Sequence, residues 1–338
     1  MKAPDFAADS APRFAAVGAG RMGRGIAIAF AYAGHRISLV DLRVRSDDAW
    51  CKLRDEARAE IESSLLGLAQ FGVLSLEQVP KIAARVELVN AAGAPRALAA
   101  AELVFEGVSE ILAAKREAFA QINAYCRADA ILTSTTSSIL VTQIAEFVRG
   151  SERFLNIHWL NPAYVIPVVE LSHHAGTDPA VLARAKALME AIGKLPVVCG
   201  PTPGYIVPRL QALVMNEAAR MIEEGAATAE EIDKATRFGL GLRFAALGVV
   251  EFIDYGGCDI LHHASREMSA SIDANRYQVP AILDRMMGEG RLGLKTGSGF
   301  YNYQGRDVAG YRGDVLLRTL GMLKHAGLWQ PPAETTRS

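Results

Sequence analysis

Three polar residues, Ser137, His158 and Glu170, lie at or near the ends of apolar, strand-like runs. His158 ends the run that begins at Phe154, and Glu170 lies in an apolar setting where an unpaired carboxylate is costly. We therefore predict that Glu170 pairs with His158, fixes its tautomer and raises its basicity. A histidine held in this way can take a proton from a substrate hydroxyl while a hydride leaves the same carbon. Taken singly, His158 and Ser137 also suit structural roles, and Ser137 suits a helix cap.

A glycine pattern near the start of the chain indicates where a hydride acceptor binds. Residues 18–23 read Gly-Ala-Gly-Arg-Met-Gly, after an apolar run and before a helical stretch. Gly18 permits a tight turn, Gly20 lets the backbone approach a pyrophosphate, and Gly23 lets the helix pack close to its strand. The positive end of the helix attracts the phosphates. The predicted dinucleotide contacts here are Gly18, Gly20, Arg21, Met22 and Gly23.

Asp41 follows the second strand-like run, where an acid accepts hydrogen bonds from the adenosine ribose. A carboxylate there repels a 2′-phosphate, so we predict NAD rather than NADP as the cofactor. Arg43 and Arg45 weaken this preference without reversing it.

The elements that position these residues alternate between strand and helix. The pattern predicts a Rossmann-type α/β fold, a doubly wound and mostly parallel sheet, followed by an all-helical C-terminal domain. Helix breakers at residues 200–204 separate the two parts. The predicted domains are 12–200 for NAD binding, 201–326 for substrate binding and dimerisation, and 327–338 as a flexible tail. The predicted helices include 47–71, 113–126, 141–148, 178–194, 205–224, 252–268, 281–288 and 314–325.

Composition limits the class of protein. The 338 residues are enough for two domains, and they are 50% hydrophobic and 22% charged with a formal net charge of −1. This balance gives no reason to predict a nucleic-acid or membrane partner, and no apolar run reaches the ~18 residues of a membrane span. Four cysteines without metal-type spacing indicate a reducing compartment, and we expect the cytoplasm.

Several further motifs carry a family resemblance that runs from about Phe14 to Tyr303. They read Phe-Glu-Gly-Val-Ser-Glu at 105–110, Thr-Ser-Thr-Thr-Ser-Ser at 133–138, His-Trp-Leu-Asn-Pro at 158–162, Pro-Gly-Tyr-Ile-Val at 203–207 and Gly-Leu-Lys-Thr-Gly-Ser-Gly-Phe-Tyr at 293–301. The sequence resembles the L-3-hydroxyacyl-CoA dehydrogenases, with features of their relatives that act on L-gulonate and carnitine. This resemblance implies an NAD-dependent oxidoreductase of the kind found in fatty acid metabolism, and a homodimer.

The resemblance also implies roles for individual residues. His158 would be the general base, Glu170 its partner, and Ser137 a ligand of the substrate oxygen near the nicotinamide. Asn161 would contact the cofactor end of the site and the substrate. Glu110 and Lys115 would line the NAD cleft.

Two departures from the family pattern bear on substrate recognition. The family usually has Asn where this chain has Pro208, and Asn where it has Thr135. Both leave the histidine–glutamate pair in place, so we expect altered recognition of the substrate more than lost catalysis.

The branch of the family stays open at the level of sequence. The stretch 239–248, which contains Arg243, resembles the hydroxy-acid branch. Arg243 could bind a substrate carboxylate, or it could be a solvent-exposed arginine at the start of a helix. The stretches 251–257 and 295–301 resemble the short-chain acyl-CoA enzymes. An (S)-3-hydroxyacyl-CoA thioester is the first substrate prediction, a free 3-hydroxy acid held by Arg243 the alternative, and a catalytically idle NAD-binding protein the lesser one. Two pairs of adjacent histidines, at 173–174 and 262–263, are candidate metal ligands by residue type, but we predict that no metal binds.

Overall fold

The computed structural model describes residues 13–329. Its first compact unit, which ends at Val214, is built on one eight-stranded sheet with the order β3-β2-β1-β4-β5-β6-β7-β8. All neighbouring strands are parallel except β6 and β7. The strands are β1 Phe14–Val17, β2 Ile37–Val40, β3 Val86–Val89, β4 Leu103–Glu106, β5 Ile131–Ser134, β6 Phe154–Trp159, β7 Val168–Ser172 and β8 Leu195–Cys199.

Helices cover both faces of this sheet, so its central strands are buried throughout. Successive residues of β1 belong to different apolar clusters: Phe14 and Ala16 pack on one face, and Ala15 and Val17 on the other. Continuous apolar strands are typical of such a two-faced parallel sheet. The helices of this part are α1 Arg21–Tyr32, α2 Asp47–Gln70, α3 Gln78–Ala83, α4 Ala94–Ala100, α5 Leu112–Tyr125, α6 Val141–Ala145 and α7 Pro179–Ala191.

The rest of the described chain is mainly helical. This confirms the predicted α/β fold followed by a helical C-terminal part. Helix α8, Val207–Glu223, continues past Val214, and the second compact unit starts at Met215. The domain bounds 12–200, 201–326 and 327–338 stay predictions, and residues 330–338 lie outside the described residues. The further helices are α9 Ala229–Lys234, α10 Leu242–Ala246, α11 Val249–Gly256, α12 Cys258–Ser271, α13 Ala274–Tyr277, α14 Ala281–Gly288 and α15 Val308–His325. Across residues 13–329, no helix combines the length and apolar character needed to span a membrane.

Two local predictions were incomplete. No element was predicted at α3, β3 or α4; β3 lies at the sheet edge, where three of its four residues are only partly buried, so its apolar signal is weak. The helix predicted over 252–268 is two helices, since Gly257 adopts a φ of +111° and ends α11.

A buried carboxylate organises the loop at 293–301 within the second unit. Asp254 in α11 is fully buried, and its carboxylate accepts the backbone N–H groups of Phe300 at 2.9 Å and Tyr301 at 2.8 Å. A Cβ atom on Gly299 would overlap that carboxylate. Glycine is therefore required where the loop crosses Asp254.

Replacing Gly299 with alanine is expected to lower the free energy of unfolding by about 1–3 kcal/mol, because the added methyl group displaces a buried, hydrogen-bonded acid. The matched control is Gly321→Ala in α15, where nothing lies within 4 Å of the added Cβ. That change is expected to stabilise the helix by about 0.5–1 kcal/mol. Urea denaturation of both variants measures the difference, and an unaltered midpoint for Gly299→Ala would contradict the steric argument.

Candidate active site

The glycine loop between β1 and α1 has the geometry that a bound pyrophosphate needs. Gly18 has a φ of +99°, and a Cβ there would lie 2.7 Å from the carbonyl oxygen of Gly107. A Cβ on Gly23 would overlap the carbonyl oxygen of Gly18, whereas the space beside Gly20 is open. The loop is thus closed on its protein side and open at Gly20, where α1 presents its N-terminal N–H groups. Arg21 and Met22 form the first turn of that helix.

A cleft of about 320 Å³ continues from this loop and contains Asp41. Asp41 follows β2, is buried, and forms an ion pair with Arg45. Arg24 and Arg43 also line the cleft. The carboxylate predicted to meet the adenosine ribose is therefore present at the end of its strand, with guanidinium groups around it.

Replacing Arg45 with alanine is expected to sharpen the preference for NAD over NADP. The change removes a guanidinium that can pair with a 2′-phosphate and frees the Asp41 carboxylate for ribose hydroxyls. We expect kcat/KM with NADP to fall about tenfold, the effect of one lost charge-assisted hydrogen bond, and the value with NAD to change less than about threefold. The control is Arg96→Ala, which breaks an exposed ion pair with Glu87. Equal effects on both cofactors would contradict this assignment of Arg45.

A fully buried ion pair joins the last residue of β4 to α5. Glu106 and Lys115 have no exposed side-chain surface, and the Lys115 ammonium lies 3.0 and 3.1 Å from the two Glu106 carboxylate oxygens. Ser134 donates to the same carboxylate at 2.6 Å, and the Val108 N–H donates at 2.8 Å. These bonds connect the ends of β4 and β5 to α5.

Glu110 carries this network to the loop that holds Ser137. The Lys115 ammonium lies 3.4 Å from Glu110. Glu110 accepts the N–H groups of Ser137 at 2.8 Å and Ser138 at 3.0 Å, and the Thr136 hydroxyl also donates to it. Burial on its own raises the pKa of Glu110, but the Thr136 hydroxyl, Lys115 and Ser138 outweigh burial and lower that pKa to about 2. Glu110 thus holds the Ser137 loop as an ionised acceptor, and the Ser137 hydroxyl itself makes no hydrogen bond within residues 13–329.

His158 and Glu170 face each other across the antiparallel pair β6–β7. They are register partners, and His158 Nδ1 lies 2.9 Å from Glu170 Oε2. A carboxylate only accepts, so neutral His158 carries its proton on Nδ1 and keeps the Nε2 lone pair for another partner. Nε2 has no hydrogen-bond partner in the described part of the chain. The predicted contact is present, and its geometry suits proton exchange at Nε2.

Glu170 also caps the start of α8. Its second oxygen accepts the N–H groups of Ile206 at 2.9 Å and Val207 at 2.8 Å. Burial alone raises the pKa of Glu170, but His158 and the two backbone N–H groups outweigh it and lower the pKa. The carboxylate beside the imidazole is therefore ionised.

Tyr205 was not predicted as a site residue, yet it lies against His158. Its ring stacks on the His158 imidazole, with ring centres 4.8 Å apart and planes 11° apart. The signal was present in the motif at 203–207, but spacing alone does not predict which ring a side chain covers.

Asn161 and Arg243 were also predicted to bind ligands. Asn161 follows β6, is exposed, and precedes Pro162 through a cis peptide bond. Arg243 lies in α10, after a π-helical stretch at Ala235–Gly241, and its guanidinium lies over the Phe252 ring at 5.8 Å. Within residues 13–329 Arg243 forms no ion pair. In the same range no three His, Cys, Asp or Glu side chains form a metal-binding group.

Comparison with known proteins identifies the family. The model of the NAD-binding domain of 3-hydroxyacyl-CoA dehydrogenases matches residues 13–202, and the model of their C-terminal domain matches residues 204–303. The chain belongs to the 3-hydroxyacyl-CoA dehydrogenase family. It is therefore an NAD-dependent oxidoreductase that acts on a CH–OH group of a small molecule, and the glycine loop and the Asp41 cleft fit that cofactor.

Individual relatives match this chain over most of its length. It is 32% identical to the 3-hydroxybutyryl-CoA dehydrogenase of Mycobacterium tuberculosis, over 87% of this chain and 99% of the relative. It is 26% identical to the 5-formyl-3-hydroxy-2-methylpyridine 4-carboxylate 5-dehydrogenase of Mesorhizobium japonicum, over 86% of this chain and 90% of the relative. A crystal structure of the 3-hydroxyacyl-CoA dehydrogenase of Archaeoglobus fulgidus matches with a TM-score of 0.72 at 30% identity, covering 94% of this chain and 99% of that one.

Pro208 and Thr135, the two departures from the family pattern, lie in the same unit as His158 and Glu170. Pro208 is the second residue of α8, where a backbone N–H has no partner inside the helix, so the ring is accommodated. Thr135 is buried, and its N–H donates to the Glu106 carbonyl at 2.8 Å. Both substitutions leave the contact between His158 and Glu170 intact.

Proposed function

We propose that this dehydrogenase interconverts (S)-3-hydroxyacyl-CoA and 3-oxoacyl-CoA, with His158 as general base in oxidation and general acid in reduction. The observation that carries the proposal is the 2.9 Å contact between His158 Nδ1 and Glu170, which leaves Nε2 available. NAD, when bound, supplies the hydride acceptor for the hydroxyl-bearing carbon.

The protein's own groups account for the movement of the proton. In oxidation His158 Nε2 takes the hydroxyl proton as the C–H bond breaks, and the ring becomes positively charged. Glu170, kept ionised by the N–H groups of Ile206 and Val207, stabilises that charge. In reduction the same ring returns the proton to the carbonyl oxygen.

The remaining predicted residues would position the reactants. Ser137 would donate to the reacting oxygen, since its hydroxyl has no other partner among the described residues. Asn161 would contact the substrate and the nicotinamide end of the cofactor. Glu110 would act by fixing the Ser137 loop, and buried Lys115 would act through Glu110 more than by lining the cleft. The contacts of Gly18, Gly20, Arg21, Met22, Gly23 and Asp41 with the dinucleotide belong to the same proposal.

Steady-state assays of NADH with acetoacetyl-CoA, and of NAD with a panel of free 3-hydroxy acids, test the substrate. We expect turnover of the thioester. Turnover of a free acid alone would transfer the assignment to the hydroxy-acid branch. If neither substrate is turned over and the protein still binds NAD, the catalytically idle NAD-binding protein is favoured.

The free-acid alternative has one observation in its favour. Arg243 is exposed and, within residues 13–329, its guanidinium has no carboxylate partner. A substrate carboxylate could occupy that position bidentately. The Mesorhizobium relative is a dehydrogenase that is named for a pyridine carboxylate.

Replacing Arg243 with methionine separates the two candidates. If the substrate is a free acid, we expect its KM to rise at least about tenfold, because a charge-assisted bidentate contact is lost. If the substrate is the thioester, KM should stay within about twofold. Arg237→Met is the control, since Arg237 also lies near a phenylalanine ring in the same unit. An unchanged KM on the best substrate ends the carboxylate candidate.

The homodimer and the cytoplasmic location are part of the proposal. Exposed apolar side chains in the second unit, including Met215, Leu316 and Leu317, support self-association. All four cysteines are free thiols, which suits a reducing compartment. Sedimentation equilibrium of the purified protein tests the dimer.

A further inference from the structure

We propose that Tyr205 is a positioning residue that aligns His158, Glu170 and the Ser137 loop, an inference that rests on the function proposed above. The Tyr205 side chain is buried, with 4% of the residue exposed, and its ring covers one face of the His158 imidazole. The planes are 11° apart, so the two rings stack closely. A bond to Glu170 fixes only one atom of the imidazole, and the ring can still tilt about that bond. The stacked phenol removes this freedom.

The phenol hydroxyl connects the stack to the Ser137 loop. It donates to the Thr136 carbonyl oxygen at 2.7 Å and accepts from the Asn156 side-chain amide at 3.1 Å. Burial raises the pKa of Tyr205, which keeps the hydroxyl protonated and able to donate. Thr136 directly precedes Ser137, so the same ring that orients the base is anchored beside the residue that would hold the substrate oxygen.

The Tyr205 backbone provides the connection to Glu170. Tyr205 has a φ of +47°, a left-handed conformation that is unfavourable for a bulky residue. The next two N–H groups, of Ile206 and Val207, both reach the same Glu170 oxygen. Glycine would adopt this conformation at lower cost but would lack the ring and the hydroxyl. Tyr205 therefore touches His158 directly and is hydrogen-bonded to the residue before Ser137. Its backbone conformation leads into the two N–H groups that bond Glu170.

Two substitutions separate the contributions of Tyr205. Tyr205→Phe keeps the stacked ring and removes only the hydroxyl, whereas Tyr205→Leu removes the aromatic face. Phe119→Leu is the matched control, because Phe119 is a fully buried ring in the same unit that packs edge-to-face against Phe154 and does not contact His158. His158→Gln is assayed alongside them.

We expect kcat of Tyr205→Leu to fall about 10²-fold, the cost of a small misplacement of reacting groups, while KM stays within about threefold. Tyr205→Phe should recover most of that loss and retain kcat within about fivefold of the wild type. The solvent deuterium isotope effect on kcat should increase in Tyr205→Leu, because proton transfer becomes more rate-limiting, and should not change in Phe119→Leu.

The outcomes distinguish this inference from the function on which it rests. If His158→Gln keeps full activity, the assignment of the base is wrong. If His158→Gln is inactive but Tyr205→Leu retains kcat, Tyr205 does not position the base and the proposed function stands. A loss of kcat in Tyr205→Leu that Phe119→Leu matches, with no change in isotope effect, would reduce Tyr205 to a packing residue and overturn the inference.

Discussion

Replacing His158 with glutamine is expected to lower kcat for oxidation by about 10²–10⁴-fold, the usual contribution of a positioned acid–base group. Glutamine keeps the size of the side chain and its contact with Glu170, but it has no basic nitrogen to accept the substrate proton. The NADH dissociation constant should change little, because the glycine loop and the Asp41 cleft are expected to bind the dinucleotide. Steady-state kinetics and a fluorescence titration with NADH measure the two quantities.

The matched control is His263→Gln. His263 is exposed on α12, so the change removes one imidazole without touching the proposed site. It should leave kcat unchanged. Wild-type turnover by His158→Gln on its best substrate would show that another group moves the proton.

Replacing Lys115 with methionine is expected to lower the free energy of unfolding by about 3–5 kcal/mol, the cost of leaving one partner of a buried ion pair uncompensated. The Glu106 carboxylate has no exposed surface, and Ser134 and Val108 do not neutralise its charge. Methionine conserves most of the apolar length of lysine, so the effect reports the charge more than the volume. Urea denaturation measures the stability.

The double variant Glu106→Gln/Lys115→Met removes both charges and should recover part of the stability that Lys115→Met loses. Glu117→Gln on the exposed side of α5 is the control, and it should alter stability by less than about 0.5 kcal/mol. A Lys115→Met protein as stable as the control would show that Glu106 is neutralised by other means.

Much of this site could be predicted because its residues lie at strand ends. The glycine loop, Asp41 and His158 each follow or end an apolar run, and in a doubly wound sheet such positions share one edge. The contact between His158 and Glu170 was also predictable, since a carboxylate in an apolar strand needs a partner. Their roles in the reaction stay proposals.

Other features depend on tertiary packing, which the sequence does not display. The stacking of Tyr205 on His158 requires the chain to turn at a left-handed residue, and no local pattern marks that conformation for tyrosine. Lys115 was predicted to line the NAD cleft, whereas α5 packs it, fully buried, against Glu106. The Val86–Val89 strand lies at the edge of the sheet and is mostly half-buried, so its residues carry a weaker apolar signal than those of the central strands.

The pairing of β6 with β7 determines which insertions and deletions would disturb the histidine–glutamate pair. His158 and Glu170 are register partners, so their separation depends on interstrand spacing and is independent of the length of the connection at 160–167. An insertion beside Val165, an exposed residue of that connection, would leave the pair facing each other. A one-residue deletion inside β6 would instead turn His158 to the opposite face of the sheet. The histidine–glutamate pair therefore constrains the residues of β6 and β7, and does not constrain the number of residues that connect them.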